Sequence, residues 1–125
     1  MAAFTFTRDI LAGKTIKLLG TQTARDFTYV GDIVEGIVRA IQRPFNLEVI
    51  NLGSSAPVTV RRLIKEIEIT TGKKARVSLD KLPVADPQKT WANITKAKKL
   101  LGWEPKTNLK QGVEKLVNWF KLTQA

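Results

Sequence analysis

Histidine and cysteine are both missing from this 125-residue chain. Without cysteine there are no disulfides and no thiolate chemistry, and without histidine no imidazole acts as acid or base. Together the two gaps remove nearly every zinc site. A chain without cysteine suits a reducing compartment, and the expected location is cytoplasmic. No apolar run approaches the roughly 20 residues needed to span a bilayer, so no membrane partner is expected. The opening stretch, MAAFTFTRDILAGK, lacks the charged-then-apolar order of a signal peptide. Nor is there a G-x-G-x-x-G, a P-loop, a G-x-S-x-G or a metal-ligand cluster. Tyr29 is the only tyrosine, and no lysine stands four residues after it. Carboxylates paired for acid–base work are not evident. From these residues the chain reads as a ligand-binding part without a reaction centre.

What is present suffices for one domain, residues 1–125, with a real core: 43% of residues are hydrophobic. The formal charge is +10 and unevenly placed. Residues 1–59 carry six Lys/Arg against five Asp/Glu, and residues 60–125 carry fifteen against six. A basic half of this kind suits nucleic acid, an anionic membrane or a phosphorylated ligand. The plainer reading is that lysines coat outer helix faces, as Lys96, Lys98 and Lys99 do around Ala97, Leu100 and Leu101. No RNA-binding aromatic signature or Cys/His finger accompanies the charge, so nucleic acid is not the expected partner.

Along the chain, the pattern predicts a helix from Phe4 to Ala12 with Gly13 as its stop, then a short strand over Ile16–Leu19. Val49–Leu52 reads as a buried strand entering the turn Gly53-Ser54-Ser55-Ala56-Pro57. That turn is too short to cradle a phosphate by itself. Thr59 caps a helix with the stripe Val60, Leu63, Ile64 and Ile67, closing near Gly72. Ala75–Leu79 alternates as a half-buried strand, and Asp80–Thr90 is a loop. A short helix over Thr95–Leu101 precedes Gly102. The last helix opens at Asn108, with Gln111 at capping-box spacing and Val113, Leu116, Val117 and Phe120 on its stripe. Trp91, Trp103 and Trp119 read as core or helix-packing groups rather than stacking platforms. Alternating strands and helices give an α/β or mixed layered architecture.

The most informative run is RDFTYVGDIVEGIVRAI, Arg25 to Ile41. A strand-like stretch, Arg25–Val30, turns at Gly31-Asp32 into a helix, with Asp32 where an N-cap belongs and Glu35 three residues on. Ile33, Val34, Ile37, Val38 and Ile41 share one helical face. A charged Arg-Asp pair on an apolar strand needs a reason, because burying ions costs several kcal/mol unless they are paired or bind something. Two readings stay open on local pattern: a solvated strand end, or a binding group.

Three stretches in order resemble one family. RDFTYVGDIVEGIVRAI is similar to the R-D-[FY]-[TI]-[YH]-V-x-D segment of the extended short-chain dehydrogenase/reductases. VINLGSSAPVTVRRLIKEIEITTGKKA and DPQKTWANITKAKKLLGWEPKTNLKQGVEKLVNWFK resemble the family's later strand–turn–helix and its C-terminal ending. UDP-glucuronate and UDP-galactose 4-epimerases and related nucleotide-sugar dehydratases come nearest, and the likeness runs from Met1 to about Lys121. It implies an α/β fold: the C-terminal substrate-binding portion of an extended Rossmann-type epimerase, with mixed short strands and about five helices. Such enzymes run to roughly twice this length or more, opening on a Gly-rich dinucleotide-binding unit and carrying Tyr-x-x-x-Lys before the segment that corresponds to Met1. The resemblance therefore implies an excised or truncated C-terminal portion. NAD would be the cofactor of the full-length enzyme and none is expected for this chain, which would be inactive alone. The whole enzyme's reaction would be oxidation of a sugar hydroxyl by NAD, rotation or elimination, and hydride return.

By the same resemblance the ligand is a UDP-sugar or another nucleotide sugar. Arg25 would contact its diphosphate, which suits a guanidinium fork. Phe27 would line the same pocket, and Leu18 and Leu19 would lie on the strand beside the base. Val60 would touch the nucleoside and Asp86 the ribose. Some positions depart from the pattern: Gly31 replaces an acidic residue, Val84-Ala85-Asp86 stands for P-G-D, Asn93 replaces aspartate, and a second phosphate-binding arginine is missing. In the intact fold the helix after Asp32 and the strand Val49–Leu52 pack on the dinucleotide-binding sheet. A separated chain is expected to expose those faces and to self-associate or rearrange. A basic binding or scaffold module for nucleic acid or another anionic partner is the alternative function.

Overall fold

The computed structural model describes residues 2–123. Nine elements follow in order: α1 (Ala2–Leu11), β1 (Thr15–Leu19), β2 (Ala24–Arg25), α2 (Val30–Ile41), β3 (Val58–Thr59), α3 (Val60–Thr71), β4 (Arg76–Asp80), α4 (Thr95–Leu101) and α5 (Leu109–Thr123). The mixed α/β class and the five helices agree with the sequence reading. β1 and β4 pair in parallel, Thr15 opposite Arg76 through Leu19 opposite Asp80. β2 and β3 pair antiparallel, Ala24 opposite Thr59 and Arg25 opposite Val58.

Local signals end the helices as expected. Thr59 Oγ1 accepts from Arg62 N at 3.2 Å, and Gly72 closes α3 in the left-handed region at φ 70°. Before α5, Asn108 Oδ1 accepts from Gln111 N while Asn108 N donates to Gln111 Oε1, a reciprocal box. The main core joins Ile10 of α1, Ile16 and Leu18 of β1, Leu63, Ile64 and Ile67 of α3, and Val113 and Val117 of α5. A second, smaller core gathers Ile94, Ala97, Leu101 and Trp103, with Ala40, Ile50, Leu52 and Ala92 against it.

Several expectations are corrected. The strand expected over Arg25–Val30 is paired only at Ala24–Arg25 among the described residues: the antiparallel register puts Pro57, which has no N–H to donate, opposite Asp26, and the Asp26 carboxylate instead takes backbone donors of other segments. Val49–Leu52 is not a strand: no described strand lies beside it, and Ile50 and Leu52 pack on the Trp103 core instead. β4 is exposed along its whole length rather than half-buried, paired with β1 as its one strand neighbour among the described residues. Trp103 is core and Trp119 packs near Phe4, at 6.3 Å between ring centroids, but Trp91 is exposed with Lys89 over its ring.

α2 departs furthest. It starts at Val30 with Tyr29 at the cap, and no side chain caps it. Asp32 is buried within the helix, and its Oδ2 accepts from Thr107 N at 2.9 Å and Lys106 N at 3.3 Å. Farther along the same side, Arg39 donates to the carbonyls of Leu101 and Gly102, and Arg43 to that of Leu100. Glu35 bridges Arg39 and Lys106. Gly36 lets this face sit close, because a Cβ there would come within 2.7 Å of Leu52 Cδ1 and 3.2 Å of Trp103 Cε2. The polar side of α2 therefore faces its own protein. Val34, Ile37, Val38 and Ile41 are 51%, 47%, 44% and 78% exposed. That is the reverse of an ordinary surface helix.

Candidate functional site

The site is built around Thr23, a buried hydroxyl between β1 and β2. Thr23 Oγ1 donates to Leu19 O at 2.9 Å, and Thr23 O accepts from Val60 N at 2.9 Å. These two bonds bring the end of β1, the start of β2 and the start of α3 together. A third segment joins them: Ala24 N donates to Gln88 O at 2.8 Å, and Thr90 N donates to Ala24 O at 3.3 Å.

Arg25 is half-buried within this frame. Its Nη1 donates to Ala24 O at 2.9 Å and to Gln88 O at 3.3 Å. Among the described residues, no hydrogen bond is made by Nε or Nη2 and no carboxylate forms an ion pair with it. A guanidinium braced on one side by carbonyls, with its remaining donors unspent, is suited to an anion with several oxygens.

Asp26 has the opposite character. Oδ1 accepts from Ser54 N at 2.9 Å and from Ser54 Oγ, and Oδ2 accepts from Ala92 N at 2.9 Å and Ser55 N at 3.1 Å. Burial pushes this carboxyl up, and the hydrogen bonds from Ala92, Ser54 and Ser55 together outweigh it, holding the group below its ordinary value. Gly53 makes the approach possible: a Cβ there would lie 2.5 Å from Ala92 Cβ and 2.8 Å from Asp26 Oδ2.

Of the residues singled out from sequence, Arg25, Leu19 and Val60 gather around Thr23. Leu18 turns its side chain into the main core and leaves Leu19, 40% exposed, as the apolar side chain facing outward from the end of β1. Phe27 and Val60 are partly buried against that same core. Asp86 sits exposed in a turn closed by its own N–H on Pro83 O, two residues before Gln88. The residues missed as parts of the site are Thr23, Gln88 and Ser54. Their contributions are a turn hydroxyl, a backbone carbonyl and a donor pair in a small-residue turn, which carry no type-specific sequence signal. A concavity of about 480 Å³ shares Ser54 and Ser55 with the Asp26 contacts, and is otherwise lined by Trp91, Lys98 and Glu104 among others, not by Arg25. Among the described residues no acidic cluster could hold a metal ion, and no helix is long and apolar enough to cross a membrane.

Comparison with known proteins agrees with this reading of the fold. The chain is 42% identical over 123 residues to a UDP-glucuronate 4-epimerase of Thermodesulfobacterium geofontis, covering 97% of this chain and 38% of that protein. It is 40% identical over 121 residues to an uncharacterized protein of Methanocaldococcus jannaschii, covering 96% and 37%. The crystal structure of a Thermotoga maritima UDP-glucose 4-epimerase with UDP-glucose superposes with a TM-score of 0.91 at 32% identity, covering all of this chain and 40% of that one. A Bacillus cereus UDP-glucuronic acid 4-epimerase holding UDP-glucuronic acid and NAD gives 0.90 at 32% identity, covering 98% and 40%. The chain thus spans about two fifths of the proteins it matches. Nearly all of it, residues 3–116, fits the sequence model described as GDP-mannose 4,6 dehydratase, and the chain belongs to that family.

Proposed function

We propose that this chain is the C-terminal, nucleotide-sugar-binding part of an NAD-dependent epimerase or dehydratase, with Arg25 as the diphosphate anchor. The observation that carries the reading is the half-buried Arg25 guanidinium, braced on Ala24 O and Gln88 O with its other donors unspent. The UDP-sugars held by the similar solved enzymes support it, as does the place of Leu19 and Val60 beside the same turn. NAD belongs to the remainder of such an enzyme. The residues present here do not fit it: the glycine-containing turn after Leu52 gives its Ser54 and Ser55 N–H groups to Asp26 and its Ala56 N–H to Ser54 Oγ, not to a pyrophosphate.

Calorimetric titration with UDP, UDP-glucose and a short DNA duplex at two salt concentrations tests this. UDP is expected to bind, and Arg25→Ala to weaken it by about 10- to 100-fold, the range for losing charge-assisted hydrogen bonds. Equal UDP affinity in Arg25→Ala, or steeply salt-dependent DNA binding in place of UDP binding, would sink the reading.

The outward apolar side of α2 belongs to the same proposal. In a whole enzyme the dinucleotide-binding part covers it, and in the isolated chain a second copy does. Val30, Val34, Ile37 and Ile41 follow the 4-3-4 spacing of a helix–helix seam. Sedimentation is expected to show concentration-dependent dimers, and Ile37→Lys to return the chain to monomer. A compact monomer for the unsubstituted chain at high concentration would count against it.

A further inference from the structure

We propose that Asp26 is the positioning residue of the Arg25 anchor, setting the guanidinium by clamping the two segments that flank it. The inference rests on the Arg25 reading above. On one flank, β3 pairs Val58 with Arg25, and the turn leading to β3 gives Ser54 N, Ser54 Oγ and Ser55 N to the carboxylate. On the other flank, Gln88–Ala92 is fastened at both ends. Gln88 O receives Ala24 N and Arg25 Nη1, and Ala92 N donates to Asp26 Oδ2 at 2.9 Å. Among the described residues, Asp26 is the side chain that ties these two segments to each other. If Ala92 is released, the Gln88–Ala92 segment keeps its ties to Ala24 through Gln88 O and Thr90 N but loses its far anchor, and the Gln88 carbonyl that braces Arg25 is held from one side alone.

Charge gives a second reason. A carboxylate next in sequence to an anion-binding arginine is a ready competitor for it, since the pair would cancel. Here Oδ1 is occupied by Ser54 N, Ser54 Oγ and Thr28 Oγ1 and Oδ2 by Ser55 N and Ala92 N, and no Asp26–Arg25 bond forms among the described residues. The Ser54, Ser55 and Ala92 donors thus keep the negative charge off the guanidinium while using it as a clamp. Asparagine keeps the shape but not all the acceptors: its NH₂ would face the Ser55 and Ala92 N–H groups at the Oδ2 position, or the Ser54 N–H at the Oδ1 position.

The test uses the full chain with Asp26→Asn, Arg25→Ala and the double substitution. Nitrogen-15 NMR of the arginine side chains reads the brace directly, since a carbonyl-held guanidinium rotates slowly. In the unsubstituted chain Arg25 is expected to show resolved, slowly rotating Nη signals, which collapse in Asp26→Asn. UDP affinity is expected to fall about 10-fold in Asp26→Asn but less than about 2-fold when Asp26→Asn is added to Arg25→Ala, the signature of a residue acting through its neighbour. A merely structural Asp26 would leave the Arg25 signals unchanged while the Ser55 and Ala92 amides lose exchange protection, and that result overturns the proposal. Equal losses of affinity in both backgrounds overturn it as well. Should Asp26→Asn fail to fold, Ser54→Ala removes a single donor and is expected to move the Arg25 signals partway, and no movement counts against. If the parent chain does not bind UDP, the anchor reading falls, and the arginine signals alone decide whether Asp26 sets Arg25.

Discussion

Trp103→Ala is expected to destabilise the chain by about 3–5 kcal/mol, the range for emptying a fully buried large aromatic site. Trp103 is 1% exposed and heads the group of largest fully buried side chains. It anchors the smaller core, which otherwise consists of Ile94, Ala97 and Leu101 with Leu52, Ile50, Ala40 and Ala92 at its edge. Its indole Nε1 also donates to Asp32 O at 2.9 Å, one of the bonds, with those of Arg39 and Arg43, that set α2 against α4. Alanine would therefore leave a large void and an α2 carbonyl without its buried donor. The small core has no second aromatic side chain to fill that space. Urea unfolding followed by far-UV circular dichroism measures the loss, and Trp103→Phe is expected to recover roughly half of it by refilling volume without the N–H. A loss below about 1 kcal/mol for Trp103→Ala would mean that α4 and α2 are not held by this contact.

Which parts of this arrangement could be read in advance follows from how far each signal reaches. The Asn108–Gln111 box, the Thr59 cap and the left-handed Gly72 and Gly102 are decided by neighbours three or four residues away, and they were legible. The stripe of α3 was legible as well, because Leu63, Ile64 and Ile67 face the chain's own core. Val49–Leu52 was not, since a strand needs a neighbour that only the tertiary fold supplies or withholds. α2 shows the same limit from the other direction. Its apolar stripe has the right period, yet the side that docks on the protein is the one with Asp32, Gly36 and Arg39. At the site, the Arg-Asp pair stood out as charge on an apolar strand, but local pattern could not divide the roles. Only the donors from Ser54, Ser55 and Ala92, distant in sequence, identify Asp26 as the internal clamp and leave Arg25 as the open group.

Asp32→Ala separates two accounts of that helix by magnitude. Were Asp32 an N-cap, its loss would cost about 1 kcal/mol and fray the first turn of α2. In the structure it caps nothing on its own helix. Its oxygens hold Thr107 N at 2.9 Å, Lys106 N at 3.3 Å and Thr107 Oγ1 at 3.2 Å, from a residue that is itself 6% exposed. Removing the carboxylate strands three partly buried donors, and leaving such groups unpaired costs on the order of 1 kcal/mol or more apiece, for a loss of about 3 kcal/mol. The damage should also fall in a different place. Hydrogen exchange is expected to speed up at Lys106 and Thr107, ahead of α5, while the Asp32 and Ile33 amides keep their bonds to Tyr29 O. Fraying confined to Val30–Ile33, with Thr107 unchanged, would restore the capping account. The distinction bears on function, because Asp32 and Arg39 hold α2 in one rotation, with Val34, Ile37 and Ile41 turned outward. If Asp32→Ala lets the helix roll and bury those side chains, the dimer expected of the isolated chain should weaken along with the fold.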